Sequence, residues 1–228
     1  MVLSWHHPPP LLEIGGRDHA AYLALYLTLL VLLLTRKELI KRRKELVRRL
    51  AIVVVVVQQV AMYSYHLTHR EGLEQGLPLH VCRVTSLVGL VWLLTGADWA
   101  MQLVFHFGVF AYGSLAYPWG NAPVTHAMGW SFAVNHVVTL LLPVLAAVTE
   151  EWWPTREGLV TSIVAFLGYL AVTDRVNQAT GANYFYLRER PFLQGLGRRG
   201  SIVVGAVGGC AVMAGGYAVS RLLARARG

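Results

Sequence analysis

Seven apolar stretches, parted by short polar breaks or breaks containing glycine and proline, run along the chain between about residue 19 and residue 223. The pattern predicts helices over 19–35, 50–69, 79–95, 99–117, 124–148, 159–176 and 201–223. A helix needs roughly 20 apolar residues to cross a bilayer, so the third and fourth are short for the task. Runs such as Ile52–Val57 keep no polar face for water, as an amphipathic surface helix would. The expected fold is therefore all-α: a polytopic transmembrane bundle of about seven spans, built as a single domain over 1–228.

Composition agrees with this reading. Hydrophobic residues make up 55% of the chain and charged residues 14%, against about 25% charged in a soluble domain; mean hydropathy is +0.49. A soluble domain is excluded. Trp5, His6, His7 and a proline run stand where a cleavable signal would carry its basic region, so none is expected. Cys82 and Cys210 are too few for a disulfide framework.

The net charge of +8 reads as topology and not as nucleic-acid binding. Eight of the 20 basic residues (Arg36, Lys37, Lys41, Arg42, Arg43, Lys44, Arg48, Arg49) fall in one loop. The positive-inside rule makes that loop cytoplasmic, with the N-terminus outside and the C-terminus inside a multi-pass plasma-membrane protein. Inner segments then hold 12 basic residues and outer segments 6. Anionic lipid headgroups are the expected partners of the 36–49 loop.

Polar groups interrupt the helices mainly toward the outer side. Gln59, Tyr63 and His66, four and three apart, line one face of the second helix. His80, Cys82 and Arg83 open the third. His126 starts the fifth, with His136 about 15 Å deeper, and Asp174 and Asn177 close the sixth. The inner halves read as apolar apart from isolated groups such as Thr28, Thr149 and Thr161. Ionisable groups at such depth are expensive and usually functional, so a polar pocket open to the outer side is expected.

Cys82 is the strong nucleophile candidate. Its thiolate would gain from Arg83 and from a helix amino end. His80, two residues away, does not face it on a regular helix, which makes His136 the expected base and His126 its rival. Cys82 also suits a small core position, and His136 a packed one. Cys210 lies beside the stripe Ser201, Gly205 and Gly209 and reads as a small buried hydrophobe. No close Cys/His pattern assigns a metal; His66, His80, His126 and His136 would have to converge from separate helices. No cofactor is assigned.

Leu77-Pro78-Leu79-His80-Val81-Cys82-Arg83 resembles the LPLHLCR-type motif of the bacterial YwaF-like integral membrane family. His126 and His136 look like its paired histidines. The stretch from Asn177 through Gly181, Asn183 and Tyr184 to Pro191 is similar to its Asn-x-x-x-Gly-x-Asn-Tyr signature. Thr125 stands where the family often has proline before the first histidine. That family is distantly related to a eukaryotic membrane acyltransferase that moves acyl chains from phosphatidylcholine to lyso ether phospholipids. The resemblance implies catalytic roles for Cys82 and His136. His66, His80, Arg83, His126, Asp174, Asn177, Asn183 and Tyr184 are expected to support the site or bind substrate.

The function expected is thiol-dependent acyl transfer or ester hydrolysis on a membrane phospholipid or lysophospholipid, with Arg83 or Asn177 steadying the oxyanion or the phosphate. The alternative is a transporter, or a membrane protein that binds lipids or small molecules without covalent chemistry. Neither oligomeric state nor substrate identity is legible in the sequence.

Overall fold

A computed structural model describes residues 4–5, 10–69, 72–190 and 195–226. His6, His7, Arg70, Pro191 and Arg227, which entered the sequence reading, lie outside the described residues. The described elements are helices: α1 (Arg17–Thr35), α2 (Lys37–Arg42), α3 (Lys44–Thr68), α4 (Gly72–Gly76), α5 (Val81–Thr95), α6 (Asp98–Gly108), α7 (Phe110–Ala116), α8 (Ala127–Thr149), α9 (Arg156–Thr180) and α10 (Arg198–Arg225), with a 3-10 turn at Tyr184–Tyr186. Five of them (α1, α3, α8, α9 and α10) are long and apolar enough to cross a membrane. The short α5 and the pair α6–α7 occupy the third and fourth apolar stretches. The fourth stretch breaks at Val109, just past Gly108, where a Cβ would stand 3.3 Å from the Thr139 side chain of α8.

Burial identifies the hub. Inside the molecule, 61% of the apolar window of α8 is buried, against 11–22% for the other four long helices. α1, α3, α5, α6 and α7 all pack on it. The outward faces of α3 and α10 instead carry exposed Val57, Val60, Val203 and Val207. Such a surface suits a hydrocarbon solvent.

The helices run in alternating directions between two distinct ends. At the basic end, Lys41 pairs with Glu151 at 3.4 Å, and the Arg48 guanidinium donates to the Leu93 and Trp92 carbonyls that end α5. At the opposite end Ser4 pairs with the start of α8: Ser4 N–H donates to Thr125 O at 2.8 Å and Ala127 N–H to Ser4 O at 2.9 Å. His19 is built into this end, its Nδ1 accepting from Gly15 N–H (3.0 Å) and its Nε2 donating to Leu115 O (2.7 Å).

Near the basic end the apolar expectation gives way to a buried polar joint. Gln102 Oε1 accepts from Thr155 N–H at 3.0 Å, and its Nε2 reaches Asp98 Oδ2 at 3.3 Å. Trp152 Nε1 donates to Asp98 Oδ1 at 2.7 Å. One turn further along α6, His106 Nδ1 donates to Gln102 O at 2.8 Å and lies 3.3 Å from Ser162 Oγ. Gly158 is required here, since a Cβ would meet Gln102 Oε1 at 2.1 Å.

Candidate functional site

The site gathers at the end opposite the basic loop, where α5 begins. His80 caps α5 with extended backbone (φ −68°, ψ 130°), and its carbonyl accepts from the N–H groups of Arg83 (2.8 Å) and Val84 (3.1 Å). The N–H groups of Val81 and Cys82 precede these and have no acceptor among the described residues. The first N–H groups of any helix lack intrahelical partners, and together they carry its positive end. Cys82 therefore sits one residue inside a helix whose unpaired donors include its own.

The Cys82 side chain is buried, 5% exposed, in an apolar cluster with Ala111 and Leu115 of α7 and Ala133 of α8. The Ser114 hydroxyl of α7 lies within reach of the thiol. No imidazole among the described residues hydrogen-bonds the sulfur.

His136 projects from α8 and is 8% exposed. Its Nδ1 lies 2.8 Å from the Phe132 carbonyl, and its ring leans on that of Phe132 at 4.1 Å between centroids. A carbonyl can only accept, so Nδ1 carries the proton and the neutral ring presents its Nε2 lone pair. His136 and His80 lie within electrostatic reach of each other and of Arg83, and His80 also of His66. Both ring nitrogens of the half-buried His80 are without a hydrogen bond among the described residues.

Arg83, 9% exposed, is tied down on several sides. Its Nη1 donates to the Gln75 and Leu77 carbonyls, and its Nη2 lies 3.1 Å from His66 Nε2. Because a guanidinium only donates, His66 accepts through Nε2. Above it, Tyr184 is fully buried, its hydroxyl donating to Leu73 O (2.7 Å) and accepting from Leu77 N–H (3.0 Å).

The signature that follows α9 builds the roof. Asn177 donates to Tyr184 O and accepts from Tyr184 N–H, both at 2.9 Å. Asn183 donates to Glu189 O (2.8 Å) and accepts from the N–H groups of Arg188 (3.0 Å) and Glu189 (3.1 Å). Gly181 takes φ +80° to end α9. Asp174 is held by Arg198 in a two-point pair (3.0 and 2.6 Å) that ties α9 to α10.

The structure thus brings His66, His80, Arg83, His136 and Tyr184 together around the start of α5. His126 caps α8, its Nδ1 accepting from Met128 N–H at 3.2 Å, and its ring meets that of Tyr65 (5.5 Å), which also meets His66 (6.0 Å). Gln58 and Gln59 join α3 to α8 through Ser131 (2.7 Å from Gln58) and Asn135 (3.5 Å from Gln59). Gln59 Oε1, Tyr63 Oη and Ser86 Oγ are buried without a partner among the described residues. Each such atom costs about 1–3 kcal/mol, so they form an unsatisfied polar surface on α3 and α5. Sequence reasoning did not single out Ser114 or Tyr186. Ser114 carries no local signal, whereas Tyr186 lies inside the signature already quoted.

A cavity of ≈ 290 Å³ opens between α5, α6 and α9. α6 packs on both of the other helices, which barely touch each other. Its walls are Val84, Val88, Leu103, Phe107 and Ala165, with Tyr169 at the Cys82 end. Thr85 also lines it, but the Thr85 hydroxyl turns back to Val81 O at 2.7 Å. Tyr169 donates to Leu79 O at 2.6 Å, tying α9 across to the residues before α5. An apolar slot therefore begins two and three residues beyond the thiol.

Fold and site together define a helical multi-pass membrane protein with His66, His80, Cys82, Arg83 and His136 toward one end of the bundle and the Gln102 joint toward the other. The TMEM164 family matches residues 14–217, and the chain belongs to that family. Comparison with curated proteins gave no significant match, and neither did comparison with solved structures.

Proposed function

We propose that the protein is a membrane-embedded phospholipid acyltransferase or lipase in which Cys82 is the nucleophile and His136 the base. The observation that carries this reading is a buried thiol beside a helix N–H with no acceptor, on the turn of α5 whose next residues, Val84 and Thr85, line an apolar slot suited to an acyl chain. His136 supports it with a tautomer held by Phe132 O, which leaves Nε2 free to take a proton. The thiol and the imidazole come into hydrogen-bond contact when substrate enters, since catalytic hydrogen bonds often form only in the complex.

The steps follow from this geometry. His136 Nε2 takes the thiol proton, and the sulfur adds to the ester carbonyl of a glycerophospholipid. The carbon–sulfur bond forms, the carbon–oxygen bond breaks, and the imidazolium returns its proton to the departing lysolipid alcohol. A second lysolipid hydroxyl then attacks the thioester in transfer, or water attacks it in hydrolysis, with His136 again taking the proton; the new carbon–oxygen bond forms, the carbon–sulfur bond breaks, and the imidazolium returns the proton to the departing Cys82 thiolate. Asn177, Asn183 and Tyr184 serve by holding the roof, and Arg83 with His66 by bracing the start of α5.

The protein lies in the plasma membrane with seven crossings, the α6–α7 pair being one of them, and with the 36–49 segment on anionic lipid at the cytoplasmic face. The test is turnover of radiolabelled phosphatidylcholine, with and without lysophospholipid, in proteoliposomes. Cys82→Ala is expected to lower it about 10³-fold or more, and His136→Ala about 10²–10⁴-fold. Wild-type rates in both variants would remove the mechanism.

A further inference from the structure

The chemistry just proposed needs a donor for the oxyanion that forms as sulfur adds to the ester. The two side chains that sequence reasoning offered are engaged elsewhere. Both polar atoms of Asn177 are bonded to the Tyr184 backbone, and Arg83 holds the Gln75 and Leu77 carbonyls and His66. The Cys82 N–H supplies one donor from the backbone. A second, from a side chain, has to reach the same point.

The 3-10 turn above the thiol is unusual in its backbone. Phe185 and Tyr186 both take positive φ, 55° and 51°. Non-glycine residues in that region cost about 1–3 kcal/mol each and persist only where the surroundings over-determine them, often at functional sites. The surroundings here do so. Asn177 clamps Tyr184 from one side, Asn183 clamps Arg188 and Glu189 from the other, and the Phe185 ring is wedged edge-on against Phe110 (5.5 Å) and Tyr169 (5.8 Å).

The product of this strain is the position of Tyr186. Its ring lies 6.4 Å from that of His80 and 5.8 Å from that of Trp119, and it is within electrostatic reach of the Cys82 thiol and of Arg83. The Tyr186 hydroxyl makes no hydrogen bond among the described residues. A strained, clamped turn thus presents an unengaged phenol next to His80, the cap of the helix that Cys82 opens, and Tyr186 is exposed enough (38%) to meet a bound molecule.

We infer that the Tyr186 hydroxyl is the side-chain half of the oxyanion site, donating to the ester carbonyl oxygen as the Cys82 sulfur adds to it. The inference rests on the acyl-transfer reading above. As the carbon–sulfur bond forms, the carbonyl π pair moves onto oxygen, and the phenol and the Cys82 N–H hold that oxygen. When the pair returns, the alcohol leaves with the proton carried by His136, and Tyr186 keeps its own proton throughout. Desolvation raises the phenol above its ordinary pKa, which favours that protonated state.

The test compares two reactions of the same sulfur in a Cys210→Ala background. One is hydrolysis or transfer of radiolabelled phosphatidylcholine in proteoliposomes, which passes through an oxyanion. The other is alkylation of Cys82 by iodoacetamide, which displaces iodide and forms none. Tyr186→Phe keeps the ring packing and removes only the donor. It is expected to lower kcat about 10²–10³-fold with KM nearly unchanged, while the alkylation rate stays at wild type. Undiminished kcat in Tyr186→Phe overturns the inference, and so does an alkylation rate that falls in step with kcat, the mark of a structural role. Absence of any Cys82-dependent turnover in the wild-type protein overturns the acyl-transfer reading and this one with it.

Discussion

Asn177 bonds to the Tyr184 peptide unit through both of its side-chain polar atoms, donor to carbonyl and acceptor to N–H. Asn177→Asp has nearly the same shape but loses the donor, which sets a carboxylate against the Tyr184 carbonyl. A buried acceptor left without its partner costs about 1–3 kcal/mol. The variant is expected to unfold that much more easily in detergent, with faster amide exchange over 181–190; an unchanged midpoint and unchanged exchange would count against the clamp. Sequence picks out such residues because one polar group in an apolar run is conspicuous, but it does not name the partner. Asp174 is conspicuous in the same way, and its partner Arg198 lies 24 positions on, across the turn that Asn177 and Asn183 shape. Cys82 and His136 stand out in the same way, as a thiol and an imidazole in apolar runs. The approach of Ser114 to the thiol does not, because the packing of α7 on α5 leaves no trace in the spacing of either helix.

Helix identity was largely legible and helix contact only in part. Apolar runs locate all seven stretches, and the extension of α3 back to Lys44 reflects only that charged residues continue a helix past the hydrocarbon. The small-residue stripe on α10 was also visible, and the structure separates its members by what they touch. A Cβ on Gly209 would stand 2.3 Å from the ring of Phe166, which is fully buried and has no room to retreat, whereas one on Gly208 would meet nothing within 4 Å. Gly209→Ala is therefore expected to cost about 1–3 kcal/mol through overpacking of α9 against α10. Gly208→Ala should be neutral or gain up to about 1 kcal/mol from helix propensity. Thermal midpoints of the two variants in detergent decide it, and equal shifts would mean that α9 and α10 do not meet at this glycine. The Gln102 joint was missed for a related reason. A lone glutamine in an apolar run reads as isolated, and the backbone N–H that satisfies it belongs to Thr155, 53 residues later.

At the scale of the molecule two asymmetries coincide. The basic segment 36–49 and the end of α10 lie at one end, while the Cys82 region, Ser4 and the start of α10 lie at the other. Packing alone sets that polarity within the bundle. Orientation in a membrane is a separate matter, for which the clustered cations and not the contacts supply the expectation. If α10 crosses the bilayer, its two ends must react from different sides. Single cysteines at Glu38, Arg199 and Arg225, placed in a Cys82→Ala/Cys210→Ala background, report this through a membrane-impermeant maleimide on right-side-out and inverted vesicles. Glu38→Cys and Arg225→Cys should react from the cytoplasmic face, and Arg199→Cys from the outer face, beside the proposed site. Reaction of Arg199→Cys and Arg225→Cys from one side would deny α10 its crossing and with it the seventh span. Reaction of Glu38→Cys from outside would invert the molecule and turn the Cys82 pocket toward cytoplasmic-leaflet lipid, changing which phospholipid pool could supply its acyl chain.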